Sequence, residues 1–138
     1  MASFTKFYSF VEALAEKTHN LGSDTLTVAL VAAANPPSQS NTVLANLTQI
    51  SYTNCSSRAL SISSSSQTTG TYKLVVADLV LTATGGSVGP FRYICVYNDT
   101  ATSDELIGYY DYGSDLTLAD GESLTLDFNA TNGLLQLA

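Results

Sequence analysis

The chain has 138 residues, a net charge of -7 and a pI of about 4.2. Five Lys and Arg residues stand against twelve Asp and Glu, so the chain lacks the clustered basic charge that nucleic-acid or anionic-lipid binding requires. We therefore expect neither nucleic acid nor a membrane as a partner. Because 45% of the residues are hydrophobic and only 12% are charged, the composition favours a folded chain over a disordered one. A single domain over residues 1–138 is predicted.

The first twenty residues carry the one strong helical pattern. Six apolar residues recur there at spacings of three and four, which predicts an N-terminal α-helix over residues 1–20. Ser3 is expected to cap it and residues 20–22 to end it. The helix is expected to pack on a sheet or on a partner, because two lysines are too few for a membrane-surface helix. The six apolar residues are Phe4, Phe7, Tyr8, Val11, Leu14 and Ala15.

No apolar core of signal-peptide type follows Met1, and we expect synthesis in the cytoplasm of a host cell. Beyond residue 24 the pattern changes to period two, which is typical of β-strands. Residues 25–31 alternate hydroxyl and aliphatic side chains and predict a half-buried strand. Residues 41–50 fit either a short helix or an irregular edge.

The rest of the chain predicts further strands separated by turns. Residues 72–76 and 79–83 form two strands or one long bent strand, and residues 64–70 and 84–90 form loops. Residues 91–97 predict a central strand that places Phe91, Tyr93, Cys95 and Tyr97 on one face.

Near the C-terminus, residues 106–112 predict a strand and residues 134–137 a last short strand. Residues 116–128 predict a hairpin that turns at Asp120-Gly121. The predicted fold is mainly β: an antiparallel sandwich, jelly-roll-like, or a small barrel, with one N-terminal helix and a β-rich body over residues 24–138.

Catalytic chemistry has little support in the sequence. A general base near neutral pH is usually a histidine, and the chain has only His19, which we expect at the surface or in the last helical turn. Residues 85–89, Gly-Gly-Ser-Val-Gly, have Gly-x-Ser-x-Gly spacing, but a strand-like segment follows where a nucleophile elbow needs a helix. No phosphate loop, dinucleotide fingerprint or Cys-x-x-Cys pair is present. We therefore predict no enzyme, no catalytic residue and no cofactor.

Metal binding and disulfide formation are also not expected. Acidic residues cluster at 99–105 and 111–122, but without the spacing of a calcium loop. Cys55 and Cys95 are too few for a disulfide scaffold, and we expect two free thiols, with Cys95 inside a strand.

Exposed aromatic residues favour protein contact instead. Tyr109 and Tyr110 are consecutive and must point to opposite faces of a strand, so at least one is expected outside the core. Tyrosine is enriched at the centres of protein interfaces. The candidate protein-contact residues are Phe4, Phe7, Tyr8, Val11, Tyr109, Tyr110 and Tyr112.

Five segments resemble a family of small structural proteins of tailed bacteriophages. They are SFTKFYSFVEALAEKTHNLG (residues 3–22), GTYKLVVAD (70–78), GSVGPFRY (86–93), LIGYYDYGS (106–114) and LADGE (118–122). The resemblance covers most of the chain outside residues 31–69. It implies a part of the virion, most plausibly a decoration (cement) protein that binds the major capsid protein on the outside of the head.

A decoration protein at three-fold positions of a shell is expected to form a homo-oligomer, with a trimer as the specific hypothesis. A head–tail connector, tail-tube or fibre-base component has the same composition and is the alternative. A carbohydrate-binding β-sandwich is a third interpretation, which the absence of Trp disfavours.

Overall fold

The computed structural model of the protein describes residues 3–138. Within that range the chain forms nine β-strands, one α-helix and one short 3₁₀-helix. In chain order they are β1 (Thr5–Lys6), α1 (Ser9–Ala15), β2 (Leu26–Val31), the 3₁₀-helix (Leu44–Asn46), β3 (Ile62–Thr68), β4 (Thr71–Val76), β5 (Leu79–Thr82), β6 (Val88–Asn98), β7 (Leu106–Leu118), β8 (Ser123–Leu126) and β9 (Leu135–Leu137).

All the strand pairs are antiparallel and form three sheets. The largest sheet has the order β1-β7-β6-β2, a second has the order β3-β4-β9, and β5 pairs with β8. The predicted fold class is therefore confirmed: the protein is mainly β, with antiparallel sheets arranged like a small β-sandwich and one helix near the N-terminus.

One hydrophobic core joins the sheets. Leu74 of β4, Leu81 of β5 and Phe91 of β6 are fully buried in it, and Leu126 of β8 packs beside them. These strands cover one another because each has a face of aliphatic side chains that must leave water.

A second, smaller apolar cluster lies on the opposite face of the four-stranded sheet. Phe7 is fully buried there against Ala29, Val31 and Cys95, and residues 44–47 pack over it. Strand β2 is consequently buried at all six positions, so the prediction of a half-buried strand was wrong. The alternation of hydroxyl and aliphatic residues predicts one apolar face of the strand. It does not indicate that residues 44–47 cover the other face.

The helix is shorter than predicted. Thr5–Lys6 pair with β7 instead of continuing the helix, and Ser9 is its first residue, with no side-chain cap at Tyr8. The predicted helix over residues 1–20 and the predicted cap at Ser3 are therefore wrong, and residues 1 and 2 lie outside the described range. The sheet edge provides the backbone hydrogen bonds that a first helical turn leaves unmade.

The end of the helix also lies earlier than predicted. Lys17 adopts a left-handed conformation with φ of 71°, and its N–H donates to the carbonyl of Leu14 at 3.4 Å. The Thr18 N–H donates to the carbonyl of Ala13 at 2.9 Å. This pair of bonds is a Schellman motif that ends the helix before residues 20–22.

Two predictions for β6 were wrong. The register with β7 shifts between Phe91 and Tyr93, where β6 advances by two residues and β7 by five, and such an irregularity interrupts the regular alternation of faces. Phe91 therefore packs in the main core, whereas Tyr93, Cys95 and Tyr97 belong to the smaller cluster. The strand also begins at Val88, inside the segment predicted as a loop.

The predicted C-terminal hairpin is wrong as well. Residues 119–122 do turn, with the Glu122 N–H donating to the Ala119 carbonyl at 2.9 Å, but β8 pairs with β5 and not with β7. Ser64–Ser66, predicted as a loop, lie in β3. Residues 72–76 and 79–83 belong to two separate strands in different sheets.

Candidate protein-binding site

The seven predicted contact residues lie in three different places. Tyr110 and Tyr112 line a groove beside β7, and Phe4 packs on Tyr110. Phe7 and Tyr109 lie in or against the smaller apolar cluster, and Tyr8 and Val11 are exposed at α1. The predicted opposite orientation of Tyr109 and Tyr110 is confirmed, because they pack in the two different clusters.

Phe7 is not a contact residue, because its side chain is fully buried. Its ring packs against Tyr109 with 5.2 Å between centroids, and its N–H donates to the Ile107 carbonyl at 3.1 Å. The expectation that Phe7 reaches a partner is therefore wrong. Placing residue 7 before the helix turns it to the sheet rather than to the helix surface.

Two residues that line the groove, Tyr110 and Phe128, belong to a row of three packed aromatic rings. Phe4 packs on Tyr110 with 5.1 Å between centroids, and Tyr110 lies 6.1 Å from Phe128. The Phe4 ring also covers Gly108 of β7, where a Cβ atom would overlap it. Glycine at this position therefore lets the N-terminal aromatic residue lie flat against the strand.

The groove has a volume of about 270 Å³. Small-molecule sites usually enclose roughly 300–1,000 Å³, whereas an apolar cavity of about 150 Å³ admits benzene. The space therefore fits one or two apolar side chains better than a complete metabolite. Its lining residues are Ile94, Tyr110, Tyr112, Leu124, Thr125, Leu126, Asp127 and Phe128.

Aromatic and aliphatic side chains make up most of the lining of the groove. Burial raises the pKa of Tyr110 to about 12, so its phenol stays protonated well above neutral pH. Tyr112 leaves half of its surface, 50%, in contact with water. An exposed aromatic rim around an apolar floor is the arrangement found at the centres of protein interfaces.

Half of this groove was missed from the sequence. The sequence predicts Leu124, Leu126 and Phe128 as part of a hairpin and Ile94 as part of the central strand over residues 91–97. The available signal was the alternation of these residues with polar ones, which predicts an apolar face but not what the face meets. Only the pairing of β8 with β5 places them opposite Tyr110.

A buried polar cluster joins the segment after α1 to the end of β6. Asn98 is fully buried; its Oδ1 accepts hydrogen bonds from the N–H groups of Thr100 and Ala101 at 3.0 and 3.1 Å. Its Nδ2 donates to Asp24 Oδ2 at 2.7 Å and lies 3.0 Å from His19 Nδ1. Since Oδ1 already faces two donors, Nδ2 is the atom that faces His19, and Nδ1 accepts the bond.

The sequence led us to expect His19 at the surface or in the last helical turn, and this expectation is wrong. Only 6% of the residue is exposed. Its ring packs on Phe10 with 5.4 Å between centroids. Burial lowers the pKa of His19, and the negative charges of Glu105 and Asp24 oppose this shift. Protonation would also place an Nδ1–H donor against the Asn98 amide, which is itself a donor.

We predict that this histidine makes stability fall in mildly acidic solution. Because its pKa is lower in the folded chain than the unfolded value of about 6.5, the unfolded chain takes up the proton first as the pH falls. The contribution of neutral His19 to the free energy of unfolding is fully present above pH about 6.5. It declines as the pH falls from there towards the folded pKa.

The pKa of the ring can be read directly, because His19 is the chain's single histidine and gives one set of imidazole NMR signals. Urea unfolding of the wild type and His19→Gln across the same pH range isolates its effect on stability. A folded pKa at or above about 6.5, or an identical pH dependence in both proteins, would contradict the prediction.

The acidic residues serve structural roles. The Asp111 carboxylate pairs with Arg92 at 2.8 Å and accepts the Gly113 N–H at 2.8 Å; Arg92 holds the pKa of Asp111 below its ordinary value. Asp115 accepts from the Ala33 N–H and Asp120 from the Gly85 N–H, both at 2.9 Å. Within residues 3–138 no three His, Cys, Asp or Glu side chains come together as metal ligands.

The two cysteines are free thiols in the structure. Cys95 is buried in β6, and burial raises its pKa to about 12. The pKa of the partly exposed Cys55 is also raised by burial. Since the thiolate is the reactive form, neither side chain is activated as a nucleophile.

Comparisons with protein-family models, with curated proteins and with solved structures find no match to this chain. Of the helices in the described part of the chain, none has the length and hydropathy needed to cross a membrane.

Proposed function

We propose that this protein is a non-catalytic structural component of a tailed-phage virion that binds the outer surface of the capsid shell as a decoration protein. The observation that best supports a binding role is the apolar groove of β7 and β8, with half-exposed Tyr112 at its rim. The resemblance of five segments to small tailed-phage structural proteins supports the virion assignment.

The proposed partner is the major capsid protein, and the proposed assembly is a homo-oligomer, with a trimer at three-fold positions. A symmetric shell repeats the same weak contact many times, so a shallow groove with one aromatic rim suffices for retention. Binding to the assembled shell alone would also stabilise the shell by linkage. Synthesis in the cytoplasm of the host precedes this assembly.

The experiment is co-sedimentation of the purified protein with phage particles that lack it because its gene has been deleted from the phage genome. Tyr112→Ser should reduce occupancy by about tenfold, since an interface tyrosine contributes at least about 1–2 kcal/mol. Val80→Ser is the matched control, because Val80 is exposed to the same degree, at 49%, but is neither a groove residue nor a predicted contact residue. Truncation of residues 1–20 is unsuitable, since it removes the buried Phe7 and Phe10.

Failure of the wild-type protein to bind the particles would contradict the virion role. Binding at the neck or tail alone, visible by electron microscopy of the reconstituted particles, would favour the connector or tail alternative. If Tyr112→Ser binds the particles as well as the wild type and Val80→Ser do, the groove is excluded as the contact.

A further inference from the structure

We propose that the free edge of β8 binds an extended segment of another protein by β-strand addition. The segment carries alternate apolar side chains and a Lys or Arg. This inference deepens the proposed function, since it names the chemistry of the partner at the same groove. It depends on that function only for placing the partner in a virion.

The first step is that β8 has an unpaired edge. It pairs with β5 alone, and three consecutive residues of the strand, Leu124, Thr125 and Leu126, line the groove together with the two residues that follow the strand. Because successive side chains point to opposite faces of a strand, a cavity that touches three strand residues in a row lies along the strand's edge. The edge that faces the groove is therefore the one that β5 leaves free.

The second step identifies the backbone groups on that edge. In β5 the Thr82 N–H bonds to Ser56 Oγ at 2.8 Å and the Thr82 carbonyl accepts from the Ser56 N–H at 3.0 Å. Thr82 therefore points its backbone away from its partner Ser123. Antiparallel pairs alternate, so the N–H and C=O groups of Ser123 and Thr125 face outward.

The third step is that this edge lacks the protection found on other strands. The residues of β8 are Ser-Leu-Thr-Leu, with no charge and no proline to prevent pairing. On β7, by contrast, the Asp111 side chain bonds the Gly113 N–H. The outer edge of β2 is covered, as the Leu60 N–H donates to the Leu26 carbonyl at 2.8 Å and the Ile50 N–H to the Leu30 carbonyl at 3.0 Å.

The fourth step concerns the side chains of the added strand. A strand beside β8 would lie over the groove, and every second side chain would point at Ile94, Tyr110 and Tyr112. The volume of about 270 Å³ exceeds the roughly 150 Å³ that holds one benzene ring. One or two aliphatic side chains fit this space.

The last step is the charge of the occupant. Asp127 is the one charged residue among the lining residues that the structure describes, and it is exposed. A basic side chain at the end of the added strand would form an ion pair with the Asp127 carboxylate. A second copy of this chain is disfavoured because each copy carries a net charge of -7, so the partner is a different and locally basic chain.

The test uses the ¹⁵N-labelled full chain and a mixture of capped octapeptides that alternate Val, Ile or Leu with Thr or Lys. The expected result is a shift of the Ser123, Thr125 and Asp127 amide signals. A matched mixture with Glu in place of Lys should bind at least about tenfold more weakly, because it meets Asp127 with like charge.

Thr125→Pro removes the outward N–H without touching the ladder to β5, and should abolish the shifts. Thr125→Val keeps the N–H and should bind as the wild type does. If Thr125→Pro does not fold, as judged by thermal unfolding, Tyr112→Ala serves instead and should weaken binding by about tenfold.

The inference is overturned if no shift appears up to about 1 mM peptide, if the Lys and Glu mixtures bind equally, or if Thr125→Pro binds like Thr125→Val. Shifts that depend on protein concentration without peptide would assign the edge to a second copy and also overturn it. No phage particle enters these measurements, so their failure is distinct from failure of the virion role.

Discussion

Replacing Phe7 by alanine is expected to lower the free energy of unfolding by about 3–5 kcal/mol. The side chain is fully buried and fills the smaller apolar cluster between β2, β6 and residues 44–47. Its removal leaves a cavity between the four-stranded sheet and residues 44–47, and the cost of this cavity adds to the lost transfer free energy of the ring. A loss of this size is a large part of the roughly 5–15 kcal/mol that stabilises an ordinary domain.

Tyr8→Ala is the matched control for this prediction. Tyr8 is the next residue along the chain but is 61% exposed, and its one side-chain hydrogen bond, to Gln39, is long at 3.4 Å. Its substitution should change stability by less than about 0.5 kcal/mol. Equal effects of the two substitutions in urea unfolding would show that Phe7 is not part of the core.

Replacing Asn98 by alanine is expected to lower the free energy of unfolding by about 3 kcal/mol. The substitution leaves the N–H groups of Thr100 and Ala101 without their acceptor and removes the amide donor of Asp24 and His19. Each buried polar group that loses its partner costs roughly 1–3 kcal/mol. The Asn98 side chain is fully buried, so water does not readily replace the bonds that its amide makes.

Asn129→Ala provides the comparison for Asn98→Ala. The Asn129 Oδ1 accepts from the N–H groups of Thr131 and Asn132 at 2.9 and 2.8 Å, which is the same local pattern at an exposed site. Because water can satisfy these groups, its loss should be about 0.5–1 kcal/mol. If chemical denaturation gives the two variants the same stability, burial does not determine the contribution of the cluster.

The fold class was predictable because the local signals agreed with one another. Period-two alternation identified the strands at residues 25–31, 91–97 and 106–112, and glycine-rich turns separated many of the others. The pairing of strands was not predictable to the same degree. Leu124 and Leu126 show in the sequence that one face of β8 is apolar. Nothing local indicates that the strand pairs with β5 rather than with β7.

The N-terminal segment shows how tertiary contacts override a local pattern. Phe4, Phe7 and Val11 have helical spacing, yet the open edge of β7 takes Thr5 and Lys6 into the sheet. The helical pattern therefore contains residues with different environments: Phe7 is buried, and Val11 is 50% exposed. Periodicity predicts that a segment is amphipathic and does not say which side meets the core.

For the candidate site, the tyrosine pair was informative and its surroundings were not. Alternation alone placed Tyr109 and Tyr110 on opposite faces, as the structure has them. Phe128 approaches Tyr110 from the segment that follows β8, a strand of another sheet, and such a long-range contact leaves no periodic signal. The buried role of His19 was missed for the same reason, since its partner Asn98 is far away in the sequence.

The proposed virion role is tested most directly by cryo-electron microscopy of virus particles produced from the genome that carries the gene for this chain. We predict density for the chain at repeated positions on the outside of the capsid, with the groove of β7 and β8 in contact with a neighbouring protein. Absence of the chain from the shell, or its presence only in a ring at the neck or in the tail, would contradict the assignment as a decoration protein.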